Sequence, residues 1–208
     1  MPRYLAQFSA VLFDMNGTFM FGHDRFGPDV DYFETYRALG GSRLDREALQ
    51  ATMTRCLDGL LAAYNDPDRF DDFPPLSEAF VQFGCAPAGD VPLLERVFAI
   101  HEIGHVPGAH HAFLRTLAAT HWLGVVSNIC ARPELWLTRS DDMFSLFQCR
   151  VFSSEGRSIK PSPALFRRAL DRLPAGARTV FVGDSLERDI VPAKALGLAT
   201  VWIAPPGS

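Results

Sequence analysis

Asp14 stands where an unbroken apolar run, Ala10-Val11-Leu12-Phe13, gives way to Asp14-Met15-Asn16-Gly17-Thr18. A carboxylate there can attack an electrophile or hold a cation, because open α/β sheets bind their ligands beyond the carboxyl ends of the strands. Four apolar residues without alternation suit a strand covered on both faces. Gly17 then lets the chain turn without crowding the carboxylate. Taken alone, Asp-x-Asn-Gly is also a common turn. Three further clusters give it company. Leu123-Gly124-Val125-Val126 ends in Ser127-Asn128, and Val180-Phe181-Val182 ends in Gly183-Asp184-Ser185 with Asp189 beyond it. Lys160-Pro161 opens a polar stretch before an amphipathic segment. A hydroxyl, an ammonium and two more carboxylates around Asp14 make a site for a divalent cation and a phosphate beside a nucleophilic carboxylate.

The elements that must carry these groups read as an alternating pattern. Strands are expected at 10–13, 122–126, 150–152, 179–182 and 200–203. Helical patterns lie between most of them, which argues for an α/β fold with a parallel sheet and right-handed crossovers. One helix is expected over 163–173, where Leu165, Phe166, Ala169, Leu170 and Leu173 share a face. Another is expected over 190–196, ended by Gly197. Between Phe21 and Val106 no strand pattern occurs. Leu49, Met53, Cys56, Leu57, Leu60 and Tyr64 instead mark one face of a long helix with Asp45 as its N-cap. Leu76, Phe80 and Phe83, then Val91, Leu94, Val97 and Phe98, mark two more.

In order and spacing, the four clusters resemble the motifs of the haloacid dehalogenase (HAD) superfamily of aspartyl phosphotransferases and hydrolases. Asp14-Met15-Asn16-Gly17-Thr18 matches the first motif, Ser127 the second, Lys160 the third, and Gly183-Asp184-Ser185 with Asp189 the fourth. The resemblance runs over nearly the whole chain. It implies a Rossmann-like core, residues 1–21 and 107–208, with an all-helical cap, residues 22–106, inserted after the first motif. It further implies that Asp14 is the nucleophile and becomes an aspartyl phosphate. Mg2+ would be held by Asp14, the backbone carbonyl of Asn16 and Asp184, with Asp189 orienting Lys160 or binding a metal-bound water. Thr18, Ser127 and Asn128 would bind the substrate phosphate, and Lys160 would neutralise both nucleophile and phosphoryl group. Helical caps of this kind close over small soluble substrates, so a small phosphorylated metabolite is expected.

The first motif departs from the family at Asn16. Phosphatases of the family carry a second Asp there, as general acid and then base, whereas an amide exchanges no proton near neutral pH. General acid–base help is worth about 10²–10⁴-fold in rate. His23 and Asp24, just downstream, are candidates for the missing proton source. Without one, the chain would bind a phosphometabolite or hold a slow phosphoenzyme. A 2-haloacid dehalogenase is a third reading, which Asp184 argues against because those enzymes need no metal-binding carboxylate.

A second motif competes for attention. His101-Glu102-Ile103-Gly104-His105, followed by Gly108 and His111, fits the zinc-protease pattern H-E-x-x-H-x-x-G-x-x-H. His101 and His105 also continue the apolar face of Leu94 and Phe98, and Pro107 suits a connector. A protease would leave Asp14, Lys160 and Asp184 without a role, so these histidines are read as packing or surface groups, with a hinge metal the open alternative.

Composition narrows the class. The 208 residues are 48% hydrophobic and 21% charged, enough apolar content for a real core. A net charge of −4 without a long basic run gives no footprint for nucleic acid or an anionic membrane. Cys56, Cys85, Cys130 and Cys149 show no paired zinc spacing and suit reduced thiols of a cytoplasmic protein. Arg25 and Arg55 are candidates for anion contacts, and residues 205–208 are expected to be a loose tail.

Overall fold

The computed structural model describes residues 4–137 and 141–204, so the expected tail lies outside the described residues. Five strands form one sheet: β1 (Ala10–Phe13), β2 (Trp122–Ser127), β3 (Cys149–Phe152), β4 (Thr179–Gly183) and β5 (Ala199–Trp202). Their order is β3-β2-β1-β4-β5, and every neighbouring pair is parallel. All four residues of β1 are buried, as an unalternating central strand requires. The chain builds β1, β2 and β3 outward on one side, then returns to lay β4 on the other side of β1. That reversal opens a crevice at the carboxyl ends of β1 and β4, the place where such sheets take ligands.

Two apolar layers cover the sheet. Leu12, Val126 and Phe181 face Leu165, Phe166 and Ala193, which belong to α7 (Pro163–Leu170) and α8 (Val191–Ala195). On the other face, Val11, Phe13 and Val125 belong to a cluster that also takes in Leu114 and Leu117 of α5 (Gly108–Ala118). This second cluster continues through Met15, Phe19 and Met20 into the helices that follow β1. Each fully buried Leu or Phe contributes about 1.5–3 kcal/mol, so the helical insertion shares one core with the sheet. α6 (Asp141–Phe144) is a single turn before β3.

The insertion is entirely helical among its regular elements: α1 (Tyr32–Ala38), α2 (Arg46–Tyr64), α3 (Leu76–Gln82) and α4 (Val91–Glu102). Asp45 caps α2 as expected, accepting the Ala48 N–H at 2.8 Å. Its two connections to the sheet run side by side. Phe21 and His105 exchange backbone hydrogen bonds, and the N–H groups of Asp24 and Arg25 donate to the carbonyls of Glu102 and His101. No helix among the described residues is long and apolar enough to cross a membrane.

Two helices differ from expectation. α7 stops at Leu170 rather than 173. The segment before α8 forms a π-type turn, Leu186–Ile190, in which the N–H groups of Asp189 and Ile190 both reach the Ser185 carbonyl. The wider turn swings Asp189 inward, leaving it 1% exposed.

Candidate active site

The strand ends bring the four clusters together. Asp14 leaves β1 with its N–H bonded to the Val182 carbonyl of β4 at 2.8 Å, and its side chain is buried. Ser127, the last residue of β2, donates its hydroxyl to Asp14 Oδ1 at 3.1 Å. Lys160 Nζ lies 2.5 Å from the same oxygen and 2.6 Å from Asp189 Oδ1. Thr18 reaches the other oxygen, Oδ2, at 3.5 Å. Asp14, Asp184 and Asp189 each offer an oxygen within 4.8 Å of one another.

Glycine makes this convergence sterically possible. Gly17 has φ +76°, and a Cβ there would lie 2.2 Å from Asp184 Oδ2. A Cβ on Gly183 would come within 2.6 Å of the Asp189 carboxylate. Asn16 Oδ1 is buried and has no hydrogen-bond partner among the described residues, which is uncommon for a folded protein.

Electrostatics follow from burial. Burial pushes the Asp14 carboxyl up to about 6, against the opposing pull of the Lys160 charge, and Asp189 adds to the rise. The Lys160 ammonium in contact with it favours the anionic form. Burial works against the Lys160 ammonium, but Asp14 and Asp189 more than offset it and the group is raised above its ordinary value. Asp184 is raised as well, by burial first and then by its neighbour Asp189.

Asn128 and Asp189 both hold Lys160. The Lys160 N–H donates to Asn128 Oδ1 at 2.8 Å, and Asn128 Nδ2 donates to the Lys160 carbonyl at 3.1 Å. Asp189 holds the ammonium with one oxygen and accepts the Ser185 N–H with the other.

Two residues that the sequence pattern did not single out for the site, Arg188 and Tyr64, also converge here, and a third, Ser153, holds the loop after β2. Arg188 donates to the carbonyls of Lys160 and Tyr64, each at 2.8 Å, and lies 3.6 Å above the Tyr64 ring. The Tyr64 hydroxyl accepts from Asn128 at 3.4 Å. Ser153, after β3, both accepts from and donates to the Ile129 backbone at 2.9 Å. Tyr64 read as part of a helix face, and a lone Arg or Ser carries no spacing that would have flagged it.

Other expectations are redirected. Arg25 donates to the carbonyls of Gly22, Ile100 and Ile103, and Arg55 to that of Gly84, so both cations serve backbone groups. The zinc-protease pattern does not assemble, because α4 ends at Glu102 and His105 is off the helix that would align it with His101. His101 Nε2 instead meets Thr35 Oγ1 at 3.0 Å, its ring against Tyr32. His111 lies on α5, beside Arg115.

Known proteins resemble the chain in sequence and in fold. Over 102 residues the chain is 30% identical to the glyceraldehyde 3-phosphate phosphatase of Pyrococcus abyssi (strain GE5 / Orsay), covering 47% of this chain and 41% of that relative. The chain spans less than half the length of the curated relatives it matches. Among solved structures, a HAD phosphatase from Thermococcus onnurineus superposes with a TM-score of 0.62 at 26% identity, covering 96% of this chain and 88% of the other. A 2-haloacid dehalogenase from Pseudomonas syringae pv. Tomato DC3000 has the same fold, with a TM-score of 0.58 at 24% identity over 94% of this chain and 86% of the other. The model of the haloacid dehalogenase-like hydrolases matches residues 8–197, a span that includes every one of the converging side chains, and the chain belongs to that family.

Proposed function

We propose that the chain is a magnesium-dependent phosphatase or phosphotransferase that acts on a small phosphorylated metabolite in the cytoplasm through an aspartyl phosphate on Asp14. The observation that carries this reading is the buried set Lys160, Asp14 and Asp189 beside Asp184, an ammonium and three carboxylates at one crevice. A carbon electrophile needs no such cation site, whereas phosphoryl transfer depends chiefly on positioning and charge neutralisation.

The donors fit magnesium. Asp14, Asp184 and the backbone carbonyl of Asn16 offer oxygen only, which suits a hard cation, and Gly17 leaves the room that a Cβ would fill beside Asp184. When bound, the ion supplies positive charge that screens the nucleophile from the phosphate. The protein does the rest. Lys160 and Ser127 both hold Asp14 Oδ1, which restrains rotation of the carboxylate and orients it for attack. Lys160 and the Ser127 hydroxyl also face the position where phosphoryl oxygens gather charge. Asn128 and Asp189 hold Lys160 in place.

The test is p-nitrophenyl phosphate turnover with and without magnesium. Turnover should require the metal, and Asp14→Asn should abolish it with the fold intact by circular dichroism. Activity retained in that variant, or halide release from 2-chloropropionate without metal, would reverse the reading. Asn16 favours a second reading, a phosphometabolite binder or slow phosphoenzyme. Rapid turnover of an alkyl phosphate would remove it.

A further inference from the structure

Two consecutive residues of the turn after β4 take hold of one lysine at its opposite ends. Asp189 Oδ1 lies 2.6 Å from the Lys160 ammonium, and Arg188 Nη1 donates to the Lys160 carbonyl at 2.8 Å. Ser185 fixes both residues at the root of the turn. Its hydroxyl accepts the Arg188 N–H at 3.1 Å, and its own N–H donates to Asp189 Oδ2 at 3.1 Å.

Arg188 also reaches the insertion. Its Nη2 donates at 2.8 Å to the carbonyl of Tyr64, the last residue of α2. A carbonyl in the last turn has no partner within its helix, and a cation is favoured there. The guanidinium lies 3.6 Å from the centre of the Tyr64 ring and 5.4 Å from that of Phe70, both within cation–π range. One planar fork thus bonds two carbonyls from separate parts of the chain beside two aromatic faces. A lysine ammonium, a compact point charge, cannot reproduce that. From the Tyr64 hydroxyl the contacts run back through Asn128, which bonds the Lys160 N–H and carbonyl. Arg188, Tyr64, Asn128 and Lys160 therefore form a closed ring of contacts.

We propose that Arg188 is a positioning residue for Lys160, and that through it the place of the ammonium depends on the seating of α2. The proposal rests on the aspartyl-phosphate reading above, in which Lys160 steadies Asp14 and faces the phosphoryl oxygens. Asn128 ties the Lys160 backbone to the end of β2. Arg188 ties the same carbonyl to the end of α2. Without the fork the lysine keeps the first tie and loses the second, and its ammonium shifts relative to Asp14. Such a shift weighs most on the transition state, where charge gathers on the phosphoryl oxygens. It therefore lowers kcat more than it raises KM.

The test is magnesium-dependent turnover of p-nitrophenyl phosphate by Arg188→Lys, Tyr64→Leu and the double variant, each with its Tm. Arg188→Lys keeps the charge and a long side chain, and should lower kcat about tenfold to a hundredfold while KM moves no more than about threefold. Tyr64→Leu should lower kcat as well. The double variant should fall no further than the worse single variant, because both changes break one connection. A residue that only supports the fold would lower Tm and leave the kcat of the folded enzyme as it was. Wild-type kcat in Arg188→Lys, a loss confined to KM, or losses that multiply in the double variant would overturn the role of Arg188 while Asp14→Asn stays inactive. A wild type that does not turn over the ester with magnesium would overturn the aspartyl-phosphate reading and this role with it.

Discussion

Lys160 is 3% exposed and has a carboxylate on either side. Taking an ammonium out of water costs several kcal/mol, which its neighbours offset only because both are close and hydrogen-bonded. Removing the cation strands two buried anions. Lys160→Met should therefore lower the free energy of unfolding by about 3–5 kcal/mol in urea titrations, well above the loss of a surface pair. Adding Asp189→Asn should recover part of that, since one anion then disappears. If Lys160→Met changed stability by less than about 1 kcal/mol, the pair would not be the buried unit described. Asn16 illustrates the opposite case: an amide keeps the backbone carbonyl for a cation but removes a titratable oxygen from the site.

At the scale of elements, the last residue of α4 grips the loop after β2. Glu102 is buried and accepts the Cys130 and Ala131 N–H groups at 2.6 and 2.8 Å. The loop held in this way begins directly after Ser127 and Asn128, so the insertion steadies the carboxyl end of β2. Burial pushes the Glu102 carboxyl up to about 7 from an ordinary 4.5, despite the two N–H groups that favour the anion. Because the folded state binds this proton more tightly, its contribution to stability is complete below the unfolded value and is lost as pH rises through about 7. Between about pH 5 and about pH 8, wild type should lose more stability than Glu102→Gln in parallel denaturant titrations; parallel slopes would refute this. The five strands were readable from sequence because buried parallel strands are unbroken apolar runs, and their observed bounds differ by a residue or two at most. α1 was not, having only Tyr32 and Tyr36 buried along seven residues. The π-type turn that buries Asp189 and the partners of Arg25, Arg55 and Glu102 depend on which segments meet in space. Glu102 stood out only inside a zinc-protease pattern that the end of α4 dissolves.

Across the whole molecule, the insertion and the sheet meet on the loop that carries Lys160. Phe73 donates its N–H to the Arg157 carbonyl and Ile159 to that of Phe70, Ser162 bonds Asp71, and Arg157 pairs with Asp72 and Glu78. The lysine is thus held from both parts of the chain, which ties the position of its ammonium beside Asp14 to the seating of the helical insertion. A net charge of −4 would weakly oppose the proposed phosphorylated substrate at long range, so local cations would have to draw it in. Magnesium should accordingly raise the wild-type Tm, by an amount equivalent to about 2.7 kcal/mol at a hundredfold excess over Kd. It should leave Asp184→Asn almost unmoved, and an equal shift in both would place the ion elsewhere. The central claim is that Asp14 carries the phosphoryl group, and the direct measurement is mass spectrometry of the Asp14 peptide. Wild type would be mixed with magnesium and p-nitrophenyl phosphate, quenched in acid and digested. One phosphoryl group on Asp14, absent from Asp14→Asn, is the expected result; p-nitrophenol release with Asp14 unmodified, or with the label on another residue, would contradict it.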